Sequence, residues 1–177
     1  MATTWAITTP QIQEDFSSTV NQYPQASGTT IIFGTLCTLT TGKLNPIGAN
    51  GAQVTTAGLL AGVALGPGNY AGGLGAGTGT FSGNIVANVP TFRARGGQRL
   101  VLNLTAAGAN VVGAASMVGG KYGIYINASG IATVDTTNTT EAYFEVIKFG
   151  QENDQVLGAV GDTNPRVLVE VLASAVQ

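Results

Sequence analysis

The chain has 177 residues, 44% of them hydrophobic and only 9% charged, with a single cysteine, no histidine and a net charge of −2. A domain of this length buries roughly 70% of its unfolded surface, so no disulfide or metal staple is required. Without histidine the Ser-His-Asp, Cys-His and histidine–metal arrangements are excluded. Without excess positive charge nothing favours nucleic acid or an anionic membrane as a partner.

Residues 1–28 stand apart from the rest. Trp5, Ile7, Ile12 and Phe16 are spaced among Thr and Gln, with Glu14 and Asp15 beside them. Two readings stay open. Pro10 suits the first position of a short helix, which would place Ile12, Phe16 and Val20 on one face. Alternatively the segment is an extended arm that docks its apolar side chains elsewhere. It has neither a basic region nor a continuous apolar run, so it is not expected to act as a secretory signal. QYPQASG (22–28) reads as a turn-rich hinge.

From residue 29 the signal is one strand after another. TTIIFGTLCTLT (29–40) is a β-branched run, and LLAGVALG (59–66) is short and apolar. NIVANV (84–89) leads into TFRARGGQRLVLNL, which predicts a hairpin turning at Gly96-Gly97. Within RLVLNL, Leu100, Leu102 and Leu104 alternate with Arg99 and Asn103, so the leucines share one face. KYGIYINASGIATVDT (121–136) predicts a second hairpin closed by Asn127–Gly130, with Tyr122, Ile124 and Ile126 on one side. EAYFEVIKF (141–149), QVLGAV (155–160) and RVLVEVL (166–172) follow, the last aligning Val167, Val169 and Val171. Nine or ten short strands with turns between them and no long helix predict an all-β fold. The expected architecture is a single antiparallel sandwich or barrel-like domain. Its parts are an N-terminal arm (1–28), a β-rich core (29–177) and a long loop at 66–83. Mean hydropathy is +0.26, yet Gly, Pro, Asn and Thr interrupt every apolar run, so no transmembrane span is expected.

The loop GPGNYAGGLGAGTGTFSG (66–83) resembles a phosphate cradle only in its glycine content. It lacks G-x-G-x-x-G and G-K-[ST], and a strand rather than a helix follows it. Cys37 lies in the apolar run TLCTL and reads as a buried, inert thiol. Glu141 and Glu145 are spaced to share a strand face, but about 13 Å of chain separates them, too far for a glycosidase pair. ENDQ and GDTN could hold an adventitious Ca²⁺, without EF-hand spacing. FRARGGQR (92–99) gathers Arg93, Arg95 and Arg99, which fit a protein contact or a plain solvated hairpin better than a phosphate backbone, because one Phe is the only aromatic among them and the net charge is negative. No catalytic residue, cofactor or metal site is expected.

Three stretches carry a resemblance: FGTLCTLTTGKLNPIGANGAQVTTAGLLAGVALG, KYGIYINASGIATVDTTNTTEAYFEVIKF and the terminal RVLVEVL. In their cadence the chain, over roughly 30–172, is similar to bacteriophage structural cement (capsid decoration) proteins. That resemblance implies a non-enzymatic virion subunit, made in the host cytoplasm and bound to the outside of the head. It also implies the major capsid protein as partner and self-association, as a homotrimer. The 66–83 loop has no counterpart in it. Other expectations weighed are a head-fibre or tail component and a β-rich surface or carbohydrate-binding module. Composition points the same way, since low charge is a property of interface cores. The residues expected to touch a partner are Trp5, Ile7, Ile12 and Phe16 of the arm, with Arg93, Arg95 and Arg99.

Overall fold

The computed structural model describes residues 2–12, 20–55, 58–66, 69–70, 87–152 and 155–177. In chain order the strands are β1 (Gln11–Ile12), β2 (Val20–Pro24), β3 (Leu36–Thr40), β4 (Lys43–Pro46), β5 (Ala52–Gln53), β6 (Gly62–Ala64) and β7 (Asn69–Tyr70). Next come β8 (Ala87–Arg93), β9 (Arg99–Thr105), β10 (Lys121–Ile126) and β11 (Ala132–Asp135). The last four are β12 (Phe144–Lys148), β13 (Gln151–Glu152), β14 (Gln155–Val156) and β15 (Arg166–Val171). The fold is all-β, as expected, and the strands are shorter and more numerous than the sequence runs predict.

Five strands close on themselves in the order β9-β11-β10-β12-β15, with β15 returning to pair β9. The alternation read in the sequence is what fills this barrel. Val167 lies opposite Leu102 and Val169 opposite Leu100, and Leu100, Leu102, Leu104, Val167, Val169 and Val171 are all at most 1% exposed. Ile124, Val134, Phe144 and Val146 complete the interior. The 121–136 hairpin forms as predicted: β10 and β11 pair from Gly123–Asp135 to Ile126–Ala132. Its turn is tied by the Asn127 carboxamide oxygen, which accepts the Ser129 and Ile131 N–H groups.

A second, antiparallel sheet runs β2-β8-β6-β3-β4, with β7 also on β8. It curls, because Gln25 bridges Leu44 and the Ala26 N–H donates to the Leu44 carbonyl at 2.9 Å. Ile31, Cys37, Leu44, Ala61, Ala64 and Val89 form its own small core. Leu36, Leu60, Val63 and Ala94 instead join the barrel's cluster. The C-terminal segment completes the seam: the Leu60 N–H donates to Ala175 and the Gln177 N–H to Leu60.

Several expectations change. The Gly96-Gly97 turn does not close a hairpin, for β8 and β9 lie in different sheets. The Gly97 N–H donates to Val171 and the Val171 N–H to Gln98, both at 2.8 Å, so β15 captures the chain as it leaves the turn. Gly97 has φ +82°, and a Cβ on Gly96 would stand 2.8 Å from Ala173; glycine is required by this corner. Within 29–40 only Leu36–Thr40 is strand, since Gly34 turns with φ +81°. Glu141 lies outside β12, so it shares no strand face with Glu145. Pro10 opens no helix: Gln11–Ile12 is a strand, residues 13–19 with Phe16 lie outside the described residues, and Val20 starts β2. Val20–Pro24, within the expected arm, is thus a strand of the second sheet. Most of the 66–83 loop lies outside the described residues, apart from Gly66 and Asn69–Tyr70, which pair with β8.

Replacing Leu102 by Ala should lower stability by about 2–5 kcal/mol, measured by denaturant unfolding. Val156→Ala, at a side chain 65% exposed, should stay within about 0.5 kcal/mol. Equal effects at the two positions would show the barrel register to be wrong.

Candidate contact surfaces

The described part of the arm, residues 2–12, is spent on the chain's own barrel. β1 pairs β9 at Gln11–Val101 and Ile12–Leu100, on the edge that β11 occupies further along at Leu104 and Thr105. Upstream, Thr4 bridges Thr163 in parallel; the Trp5 N–H donates to the Thr163 carbonyl at 2.9 Å and the Thr163 N–H to Thr3 at 2.8 Å. Asn103, on the outer face of β9 as its alternation requires, is fully buried beneath the arm. Its carboxamide oxygen accepts the Thr8 N–H at 3.0 Å, and its NH₂ donates to the carbonyls of Ala6 and Asn164. The Arg166 guanidinium donates to the Gln11 carboxamide.

Asp162 anchors the far end. One carboxylate oxygen accepts the Thr3 N–H at 2.7 Å, the other the Trp5 indole N–H at 2.8 Å and the Ala159 N–H at 2.9 Å. The Thr3 bond first, then the Trp5 and Ala159 bonds, hold this carboxyl below the ordinary aspartate range. GDTN therefore does not present a free carboxylate to Ca²⁺; its oxygens are committed to N–H donors. ENDQ contains residues 153–154, which lie outside the described residues.

An arm wholly free to dock elsewhere is thus corrected for residues 2–12: a strand with open backbone groups is most cheaply satisfied by the nearest open strand edge, that of β9. Trp5 and Ile7 remain half-buried, and Ile12 packs against the barrel cluster. The residues that seat the arm, Asn103, Asp162 and Thr163, are not legible as such because nothing in the sequence pairs them with positions 95 or more residues away. Where the arm crosses the second sheet, Thr9, Pro10, Ile12, Phe33 and Val63 line a groove of about 310 Å³, with Phe33 55% exposed.

Arg93, Arg95 and Arg99 are exposed but do not form one hairpin face. Arg93 ends β8 opposite Gly62, Arg95 lies in the connection, and Arg99 starts β9 opposite Glu170. Among the described residues no group of three or more Cys, Asp or Glu side chains is placed to hold a metal ion. Cys37 is buried, as read, and burial pushes its thiol up to about 12.

Two outcomes are expected. A thiolate is the reactive form, so Cys37 should resist alkylation in the native chain and react once denatured; rapid native labelling would contradict its burial. Asp162 is held below its unfolded value of about 3.9, so its contribution is present above that pH and is lost as pH falls through the lowered native value. Acidification, or Asp162→Asn at neutral pH, should shift the emission of the single tryptophan, Trp5, to the red before the barrel melts. Emission and far-ultraviolet dichroism that change together would show the arm to be no separable element.

Compared with protein-family models, with curated proteins and with solved structures, the chain finds no match in any of the three.

Proposed function

We propose that this chain is a non-enzymatic structural subunit that binds the outside of a bacteriophage head and cements its major capsid protein, acting in several copies. The observation that carries the reading is the cadence of strands and turns over roughly 30–172, which is similar to that of capsid decoration proteins. The surface supports it. Among side chains suited to contact, Trp5 and Ile7 are partly accessible and Phe33 and Arg93 exposed, on a filled barrel and a second sheet with its own core. The only thiol is sequestered and two carboxylates, Asp135 and Asp162, are committed to local donors.

A nearly neutral β subunit suits cementing, because side chains already held on paired strands lose little conformational entropy on docking. Purified chain mixed with undecorated phage heads should co-sediment saturably, at a copy number set by the head's symmetry, and should raise the temperature at which heads release their contents. Absence of co-sedimentation at micromolar chain, with the chain itself folded, would overturn the proposal. Ile7→Asp together with Phe33→Asp should weaken head binding by about tenfold or more while the barrel melt is retained.

A further inference from the structure

Charge in this chain is sorted. Its nine acids lie no later than Asp15 or no earlier than Asp135, and between them stand only Lys43, Arg93, Arg95, Arg99 and Lys121. Folding turns that order into a spatial separation. Among the described residues, the second sheet and its link to the barrel carry Lys43, Arg93 and Arg95 and no carboxylate, whereas the acids belong to the barrel and its loops.

Most of those acids are already engaged. Asp135 accepts N–H groups from Gln53, Ala107 and Thr137, and Asp162 holds the arm. Glu145 and Glu170 stand opposite each other across β12 and β15, with Lys121 beside the first and Arg99 beside the second in register. Glu141 is different. It is half-exposed and borders a shallow cleft with Leu59, Tyr143 and Ser174. Its side chain has no ion-pair partner among the described residues. Arg93 is its counterpart: exposed, without a partner among the described residues, and lining a cleft of about 270 Å³ with Tyr23, Leu39, Ala61 and Gln177. Both clefts border the C-terminal segment, one at Ser174–Ala175 and the other at Gln177, separated by at most about 10 Å of chain.

We infer that copies of this chain associate through these two clefts, with the Arg93 guanidinium of one copy against the Glu141 carboxylate of another. The contact rests on the preceding reading only in taking the chain to act in several copies; no head is needed for it. A second copy is the occupant because it carries the complementary charge beside the same C-terminal segment, and because among the described residues no other charged side chain lines either cleft to compete for it. An exposed Arg–Glu pair alone is weak. Here Leu39 and Tyr23 on one side and Leu59, 40% exposed, on the other supply apolar area, and the charges set register and partner choice. In a closed assembly each copy gives one cation and one carboxylate, so every contact is the same.

The experiment is sedimentation velocity on the purified full chain, without heads, across salt. Raising NaCl from about 50 mM to about 500 mM shortens the screening length, and the apparent dissociation constant should rise by about tenfold or more. Arg93→Glu and Glu141→Lys should each sediment as monomers where the native chain associates. An equal mixture of the two should associate again in alternation, as pairs or even-numbered rings, since each restores a complementary pair for the other. Circular dichroism melts establish that both variants fold; if either does not, Arg93→Gln and Glu141→Gln take their place and should each weaken association. A monomeric native chain at about 100 µM, single variants that assemble like the native chain, or a folded mixture that stays monomeric would each overturn the inference. So would Arg93-dependent binding of a single-stranded oligonucleotide by a chain that does not self-associate. A chain that assembles in this way yet ignores phage heads would leave the contact standing and remove the proposed function.

Discussion

A strand in the wall of a closed barrel must pair the backbone groups on both of its edges, and β9 meets that requirement with three partners. One edge is taken along its length by β15, from Arg99–Glu170 to Asn103–Arg166. The other is divided. β11 is short and reaches only Leu104 and Thr105, so Val101 and Leu100 pair instead with the arm. The arm is therefore drawn onto the barrel by an incomplete edge, and the seat that holds it, Asn103 and Asp162, follows from that position. β9–β11 is the one parallel pair among the described strands, and its two-residue length leaves Leu100 and Val101 open to a strand from the far N-terminus.

The second sheet depends on the same strand by a different route. β8 would naturally fold back on β9, but the corner at Gly96-Gly97 is gripped by β15 and by Ala173. The chain consequently leaves one sheet and enters the other within a few residues. Once β8 is committed to the second sheet, β2 and β6 add to its edges, and the Gln25–Leu44 bridge draws the sheet around its own core. The C-terminal residues lock the seam, since the Gln177 carboxamide both accepts from and donates to the backbone of Leu39, in the manner of a neighbouring strand.

Low charge lowers what it costs to cover this surface. With few ionic groups, most of the surface can be covered by another protein without a large desolvation cost. Among the described residues, Lys121, Glu145, Glu170 and Arg99 stand in register on the barrel, Asp135 and Asp162 accept backbone N–H groups, and Arg93 and Glu141 border the two clefts that flank the C-terminal segment. Sequence order matters here, because the acid-free stretch from 16 to 134 builds the whole second sheet.

Period-two patterning by itself determined the all-β class, the inward leucines of β9 and valines of β15, and the turn at Asn127–Gly130. Those features are local: burying one face dictates alternation, and a left-handed turn residue dictates glycine. The burial of Cys37 was legible for the same reason, since it lies within an apolar run. Which strand pairs with which was not legible. Alternation in TFRARGGQRLVLNL is equally compatible with a hairpin and with a crossover, and only the competing hydrogen bonds of Val171 decide between them. The arm's destination was hidden likewise, because Trp5 and Asp162 meet across 157 positions through single hydrogen bonds that leave no periodic trace. The two clefts at Arg93 and Glu141 belong to that second class. Each residue was visible as a charge, but their common border on residues 174–177 exists only once both sheets have closed on the C-terminal segment.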